Sequence, residues 1–310
     1  MARPREAGDD LVDAAPIRER RNRRASTPRH RAPGDAESFI RSFRALAEVA
    51  YAGAQVSATV IDLDNSRTLV AIDDRVGLPT ASVGKVLLLI EVSARLTEGS
   101  LQPLTPLDKS SVERVGDSGL WQHMQARILP LHDVASLVGA SSDNLATNVL
   151  LNEVGLEAVR KRAEQLGLSR TVLLDLVRDE RGPDDAPQLS VGSTAELAWL
   201  FAALTRGQVI DSITSNRVLG WLSLNTDLSL VAGAFGLDPL AHRHGDHGLV
   251  LVNKTGTDTG VRAEAGVLRG PRAGVSYAVT LQFDDVDLAA RLRVLDAMHT
   301  FGDDLLEYVY

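Results

Sequence analysis

The chain has 310 residues, of which 44% are hydrophobic and 24% charged, which is ordinary for a globular protein and long enough for one large domain or two interleaved ones. Its formal net charge of -8 provides no overall attraction to nucleic acid. The absence of cysteine excludes a disulfide framework, a thiolate metal site and a cysteine nucleophile.

The first 36 residues are rich in Arg, Asp, Pro and Ala and have little apolar periodicity, which predicts a disordered tail over residues 1–36. We favour the interpretation that this segment is a solvated tail or the result of an overlong gene start. The alternative is an anchor for nucleic acid or anionic lipid. It has no apolar segment typical of a secretory signal. The sequence as written therefore predicts a cytoplasmic protein, or an extracytoplasmic one if the gene start is misassigned. The tail contains a basic run formed by Arg18, Arg20, Arg21, Arg23, Arg24, Arg29 and Arg31.

Hydrophobic periodicity predicts helices at both ends of the remaining chain and a long helical region in the middle. A final amphipathic helix is predicted with Leu288, Leu292, Leu295 and Met298 on one face. The other predicted elements are a helix at 38–51, strands at 56–63 and 67–72, helices within 82–204, and strands at 249–253, 262–268 and 275–283.

Two early strands and three late ones predict an α+β fold, in which both ends of the chain complete one antiparallel five-stranded sheet. Terminal helices flank this sheet, and the all-α region is inserted between its strands. We accordingly predict an α/β subdomain formed by residues 37–77 and 236–310, and an all-α subdomain at residues 78–235.

Three short motifs follow one another along the chain: Ser82-Val83-Gly84-Lys85, Ser142-Asp143-Asn144 and Lys254-Thr255-Gly256. Taken singly, the first two are typical of helix N-termini, and Lys85 could be a surface lysine. Taken together they predict one active site. Two of the four lysines of the chain lie inside these motifs.

Ser82 precedes a strongly apolar helix, and the positive end of the helix dipole favours negative charge on its oxygen. Lys85 lies three residues later, on the same helical face. If burial lowers the pKa of Lys85, its amine can accept the Ser82 proton. The first motif therefore indicates a serine nucleophile with a lysine base.

The motifs S-x-x-K, S-D-N and K-T-G mark class A β-lactamases and penicillin-binding proteins, and the chain resembles that superfamily from about Ser38 to its C-terminus. The resemblance implies the β-lactamase/transpeptidase-like fold. It also implies a serine hydrolase in which Ser82 attacks a β-lactam, or a related amide or ester, to form an acyl-Ser82 intermediate.

The resemblance implies a role for each motif residue. Ser142 relays a proton to the leaving nitrogen, and Lys254 provides positive charge beside it. The remaining substrate-binding residues that it implies are Asn144 for a substrate carbonyl, Thr255 and Arg262 for a substrate carboxylate, Gly256 beside them, and the backbone N–H groups of Thr257 and Ser82 for an oxyanion.

The chain departs from class A enzymes between Ser142 and Lys254, where it has no E-x-x-L-N motif to supply a deacylating glutamate. Asp175, Asp179 and Glu180 are nearby but out of register, and we predict Glu180 as a residual base. We therefore expect slow deacylation. A penicillin-binding or sensor-like module that is acylated with little turnover, or a D-Ala peptidase or esterase, are the alternatives.

Three histidines, His242, His244 and His247, suggest a metal site, but their spacing fits no standard zinc pattern and a solvated loop is favoured. The implied serine chemistry needs no metal or cofactor. We expect a monomer that acts on a small molecule, with no nucleic-acid or membrane partner. A nucleic-acid partner would rest on the arginine-rich tail alone. Trp121 is equally compatible with a cleft wall and with the core.

Overall fold

The computed structural model describes residues 38–243 and 245–310. The predicted disordered tail, the question of a secretory signal and His244 therefore lie outside the described residues. Within the described ranges no helix is both long and apolar enough to cross a membrane.

The regular elements are named here in chain order. The helices are α1 (Ile40–Tyr51), α2 (Lys85–Glu98), α3 (Leu131–Ser141), α4 (Asn144–Val154), α5 (Leu156–Gln165), α6 (Thr194–Thr205), α7 (Ser212–Leu222) and α8 (Leu288–Val309). The strands are β1 (Gln55–Asp62), β2 (Thr68–Ile72), β3 (Leu78–Pro79), β4 (Pro106–Asp108), β5 (Ile128–Pro130), β6 (Val172–Leu173), β7 (Ser190–Gly192), β8 (Val250–Asp258), β9 (Val261–Arg269) and β10 (Gly274–Gln282).

The main sheet has five antiparallel strands in the order β2-β1-β10-β9-β8. The early hairpin joins the late strands through β1 and β10, which pair from Gln55 opposite Gln282 to Asp62 opposite Val275. Both ends of the chain thus complete one sheet, and the predicted α+β architecture is confirmed. In this order β8 lies at one edge of the sheet.

The sheet is buried on both faces because helices pack on each of them, and since successive strand residues point in opposite directions, one strand contributes to both cores. Tyr277 and Val279 contribute to a core that α1 and α8 complete. Ala263 and Ala265 contribute to a second core with residues of α2 to α7. The division into subdomains at 37–77 with 236–310 and at 78–235 stays a prediction.

Three local predictions need correction. Strand β8 extends to Asp258 rather than ending at Asn253, because its backbone continues to pair with β9 where its side chains become polar. The last helix forms as predicted, but only the later turns of its apolar face are packed into the core, and Leu288 and Leu292 in its first turns are exposed. The short sheets β3-β7-β6 and β4-β5 were not predicted, since two or three residues show no alternation.

Candidate active site

The first motif lies on a 3-10 turn, Ala81–Gly84, that leads into α2. Ser82 therefore precedes the α-helix, which begins only at Lys85. The hydroxyl of Ser190 stabilises this turn by donating a hydrogen bond to the carbonyl of Ala81 over 2.7 Å. Lys85 faces inward from the first turn of the helix and has an exposed fraction of 0%.

The second motif forms the junction between α3 and α4. Ser142 adopts the left-handed backbone conformation, with φ of 55°. Asp143 caps α4 by accepting a hydrogen bond from the N–H of Ala146 over 2.9 Å. Its second oxygen accepts from the N–H groups of Leu120 and Trp121, over 2.7 and 2.8 Å. Asp143 thus orients the turn that presents Ser142, and the fully buried Trp121 belongs to the core rather than to a cleft wall.

The third motif lies on edge strand β8, where it packs against the turn that carries Ser82. A side-chain Cβ at Gly256 would lie 2.1 Å from the carbonyl oxygen of Thr80 and 3.1 Å from the backbone nitrogen of Ser82. Only glycine allows this approach. Lys254, two residues earlier and on the same face of the strand, is fully buried.

The two buried lysines converge on Ser142. The Nζ of Lys254 donates to Ser142 Oγ over 3.0 Å, and the Nζ of Lys85 donates to the same oxygen over 3.3 Å. Lys85 also donates to the carbonyl of Ser142 over 2.6 Å and to Asn144 Oδ1 over 2.7 Å. Because the Ser142 oxygen accepts from both lysines, its own proton is available for a third group.

Burial controls the protonation of both lysines. Removal from water lowers the pKa of Lys85 well below its usual value, and the charge of Lys254 lowers it further, while Asp143 and Asp117 act in the opposite direction. Burial also lowers the pKa of Lys254 to about 8, against the raising influence of Asp227 and Glu264. The site therefore contains two amines of reduced basicity, of which Lys85 is perturbed more strongly.

A cleft of about 780 Å³ opens above this group. Ser82, Ser142, Asn144, Thr255 and Thr257 all line it, which brings residues of the three motifs to one concave surface. Residues that are more than a hundred positions apart in sequence thus share one cleft. The arrangement offers a serine hydroxyl, a second hydroxyl between two amines, and the backbone of an edge strand.

Two predicted substrate-binding groups already have partners in the protein. The Nδ2 of Asn144 donates to the carbonyl of Gly116 over 3.2 Å, so one amide N–H remains for another acceptor. Arg262 does not line the cleft, and its guanidinium donates to the carbonyls of Asp258 and Val261, both over 2.8 Å. Its predicted contact with a substrate carboxylate would require these bonds to rearrange.

The three carboxylates predicted near the site differ in their surroundings. Asp175 is held by Arg178 and Arg181, at 2.9 and 2.8 Å. Desolvation is the largest single influence on the pKa of Asp175 and raises it. The hydrogen bonds and charges of the two arginines together outweigh desolvation, so the pKa is lowered. Asp179 lines the cleft and accepts from the N–H of Gly116 over 2.9 Å, whereas Glu180 is exposed and outside the cleft lining.

Two buried side chains lie close to the site without belonging to a motif. His242, predicted on a solvated loop, is buried, and its Nε2 forms a hydrogen bond with the carbonyl oxygen of Asn225 over 2.8 Å. His247 is exposed. Glu264 is buried in the middle of β9, and the only sequence signal for it is a carboxylate between apolar neighbours of a strand.

We expect Gly256→Ala to separate β8 from the turn that carries Ser82. Its Cβ would require a backbone shift of the kind that overpacking imposes, at a cost of about 1–3 kcal/mol in the free energy of unfolding. A displacement of about 1 Å at the site would lower the rate of covalent labelling of Ser82 by on the order of 10²-fold. Thermal unfolding and labelling kinetics measure the two effects.

The matched control is Gly220→Ala, on α7, because a Cβ at Gly220 meets no heavy atom within 4 Å. Alanine should be neutral there, or stabilise the helix by up to about 1 kcal/mol. Labelling of Gly256→Ala at the wild-type rate would contradict the close approach between Gly256 and Thr80.

Solved structures share this fold. A β-lactamase from Sphaerobacter thermophilus DSM 20745 is 22% identical, with a TM-score of 0.73 over 85% of this chain and 95% of its own. A PBP-A mutant in an acyl-enzyme complex with penicillin G is 18% identical, with a TM-score of 0.70 over 86% of this chain and 95% of its own. An ancestral (GNCA) class A β-lactamase is 22% identical, with a TM-score of 0.70 over 86% of this chain and 99% of its own.

At these identities the likeness establishes the fold alone, and no curated protein matches the chain in sequence. A sequence profile of the Beta-lactamase enzyme family, however, matches residues 38–309, which include all three motifs and the whole five-stranded sheet. The chain therefore belongs to the Beta-lactamase enzyme family.

Proposed function

We propose that this protein is a serine hydrolase that opens a β-lactam, or cleaves a related amide or ester, through an acyl-Ser82 intermediate. The observation that carries the proposal is the convergence of Lys85 and Lys254 on Ser142 Oγ, in a cleft that Ser82 also lines. Lys85 and Lys254 are buried, and a buried amine of lowered pKa is suited to proton transfer at neutral pH.

In the proposed acylation, Ser82 Oγ forms a bond to the substrate carbonyl carbon while its proton passes to the neutral amine of Lys85. Two acceptors, the Ser142 carbonyl and Asn144 Oδ1, take up two N–H bonds of that amine. The third contact of Lys85, to Ser142 Oγ, is a donated bond only in the charged amine, and in the neutral amine the lone pair takes the place of that N–H and can accept the incoming proton. Backbone N–H groups of Ser82 and Thr257 would stabilise the oxyanion.

Collapse of the tetrahedral intermediate breaks the bond between carbon and nitrogen, and the leaving nitrogen takes a proton from Ser142. Lys85 then returns a proton to the Ser142 oxygen, so Lys85 is neutral again, Ser142 is again a hydroxyl, and the net transfer is one proton from Ser82 to the leaving group. Lys254 provides a positive charge 3.0 Å from Ser142 Oγ throughout these steps. The product of this half-reaction is an ester on Ser82.

Hydrolysis of that ester needs a base that activates a water molecule, and none of the three loop carboxylates is both free and in the cleft. A penicillin-binding or sensor-like role is therefore the second candidate. Of the three loop carboxylates, Asp175 is bound by two arginines, and Glu180, the predicted residual base, does not line the cleft. Asp179 does line it, but its Oδ1 and Oδ2 both accept from the N–H of Gly116. Slow deacylation by Asp179 or Glu180 is therefore part of the proposal.

We expect burst kinetics with a chromogenic β-lactam: one equivalent of product forms quickly and a slow steady phase follows. Time-resolved intact mass should detect a single acyl adduct that accumulates during the burst. Glu180→Gln and Asp179→Asn should leave the burst unchanged, and the variant that lacks the true base should slow only the steady phase.

The absence of any adduct would refute the proposed function. Fast linear turnover without a burst, unchanged in both variants, would contradict the slow-deacylation part and place the deacylating group elsewhere. An adduct that persists for hours would favour the penicillin-binding or sensor-like alternative. A small-molecule substrate and a monomeric state are part of the proposal, and size-exclusion chromatography with light scattering tests the latter.

A further inference from the structure

Glu264 is a buried carboxylate in the middle of β9, on the opposite face of the sheet from Lys254. It lies opposite Thr255 in the pairing of β8 with β9 and opposite Val279 in the pairing of β9 with β10. Because Val279 belongs to the core that α1 and α8 complete, the Glu264 side chain points to that face. Lys254, one residue before Thr255, points to the opposite face.

The carboxylate is built into a network of hydrogen bonds. Glu264 Oε1 accepts from the hydroxyl of Tyr277 over 2.6 Å and from Nδ2 of Asn253 over 2.8 Å. Asn253 Oδ1 in turn accepts from Nδ2 of Asn225 over 2.9 Å, and the same Nδ2 donates to the carbonyl of Asp227 over 3.0 Å. The network thus joins Glu264 to the residue before Lys254 and to Asp227, which lines the cleft.

Among the described residues, the groups that interact with Glu264 are hydrogen-bond donors and the charges of Asp227 and Lys254. Tyr277 on β10 and the N–H of Ala232 donate hydrogen bonds to it. The charge of Asp227 acts on Glu264, and the charge of Glu264 acts on Lys254. Burial raises the pKa of Glu264 to about 7, because the hydrogen bonds only partly offset its desolvation. Burial lowers the pKa of Lys254, the charges of Asp227 and then of Glu264 raise it, and the net pKa is about 8.

We propose that Glu264 is a positioning residue for the proposed reaction. From the opposite face of the sheet, its ionised carboxylate favours the charged form of Lys254, and its hydrogen bond fixes the side chain of Asn253, the residue before Lys254. This inference rests on the proposed function for its catalytic consequence. Its structural part, the dependence of the Lys254 charge on Glu264, stands apart from any substrate.

The first experiment follows the titration of Lys254 directly. With only four lysines in the chain, selective ¹³C labelling of the lysine ε-carbon gives few NMR signals, and Lys254→Ala identifies the one of interest. In Glu264→Gln the amide oxygen still accepts from Asn253 and Tyr277, but the charge is gone. We expect the midpoint of the Lys254 titration to fall by about half a pH unit or more.

A second variant covers the case in which Glu264→Gln does not fold. Tyr277→Phe removes the hydroxyl that favours the ionised form of Glu264, so Glu264 should become neutral at higher pH and the Lys254 midpoint should again fall, by less. The matched control is Asp62→Asn, since Asp62 is another buried carboxylate that accepts from a tyrosine, Tyr308, over 2.6 Å. It should leave the Lys254 midpoint unchanged.

The second experiment measures acylation by a β-lactam against pH. Glu264 is itself protonated in the wild type at low pH, so Glu264→Gln should acylate at the wild-type rate near pH 6 and increasingly slowly above pH 8. A purely structural role would lower the rate equally at every pH.

Lys254 midpoints that stay unchanged in Glu264→Gln and Tyr277→Phe would overturn the proposal. A wild-type chain that is never acylated would refute the proposed function and leave the titration result to decide the role of Glu264.

Discussion

Ser82→Ala should abolish covalent labelling by β-lactams and by fluorophosphonate probes. Ser82 is the hydroxyl of the first motif that lines the cleft, and without it the substrate carbonyl has no nucleophile. Loss of a nucleophilic serine lowers turnover on the order of 10⁶-fold in other acyl-transfer enzymes. Intact mass should detect no adduct, and in the wild type the adduct should map to the peptide that contains Ser82.

Ser142→Ala separates the nucleophile from the proton relay. Ser142 also lines the cleft, but the proposed bond to carbon forms at Ser82, so this variant should still be labelled, at a reduced rate. Ser100→Ala, at an exposed position, is the control and should label normally. Labelling of Ser82→Ala at any serine in the cleft would contradict the assignment of the nucleophile.

Lys85→Arg should lower the acylation rate as severely as Lys85→Ala, by about 10²- to 10⁴-fold. The proposed role of Lys85 is to accept a proton, and a guanidinium cannot do so because it stays charged at all accessible pH values. Lys254 should behave in the opposite way: Lys254→Arg retains the positive charge beside Ser142 and should keep more activity than Lys254→Ala.

The pH dependence of acylation follows from the two lysines. Acid protonates Lys85 and removes the base, so the rate should fall as pH decreases through its lowered pKa. Alkali removes the charge of Lys254, whose pKa is about 8, so the rate should also fall above that pH. The bell-shaped profile should lose its acid limb in Lys85 variants, and Lys161→Ala, on an exposed side chain, should retain the full profile.

Equal losses in Lys254→Arg and Lys254→Ala would contradict a purely electrostatic role for Lys254. Appreciable acylation in Lys85→Arg would contradict Lys85 as the base and transfer that role to another group. Single-turnover rates, rather than steady-state turnover, are the measurement, because slow deacylation would hide differences in the acylation step.

Much of the fold could be predicted from local pattern. The alternation of Val275, Tyr277, Val279 and Leu281 with smaller or polar residues is a direct consequence of the two faces of a strand, and these four residues do share one core. Short strands such as Leu78–Pro79 could not be predicted, because their backbone pairing with β7 depends on a residue more than a hundred positions away. The exposure of Leu288 depends likewise on where the neighbouring elements end.

By itself the sequence determined the order of the three motifs, the residue types that carry the chemistry, and the membership of the terminal strands in one sheet. These follow from side-chain chemistry and from periodicities that each segment has on its own. Only the tertiary structure decided that Lys85 and Lys254 meet on one hydroxyl, that Gly256 must lack a side chain, and that Glu264 is buried behind the strand of Lys254. These are matters of distance and burial between segments far apart in the chain, and the pKa of a lysine depends on the water and the charges around it rather than on its neighbours in sequence.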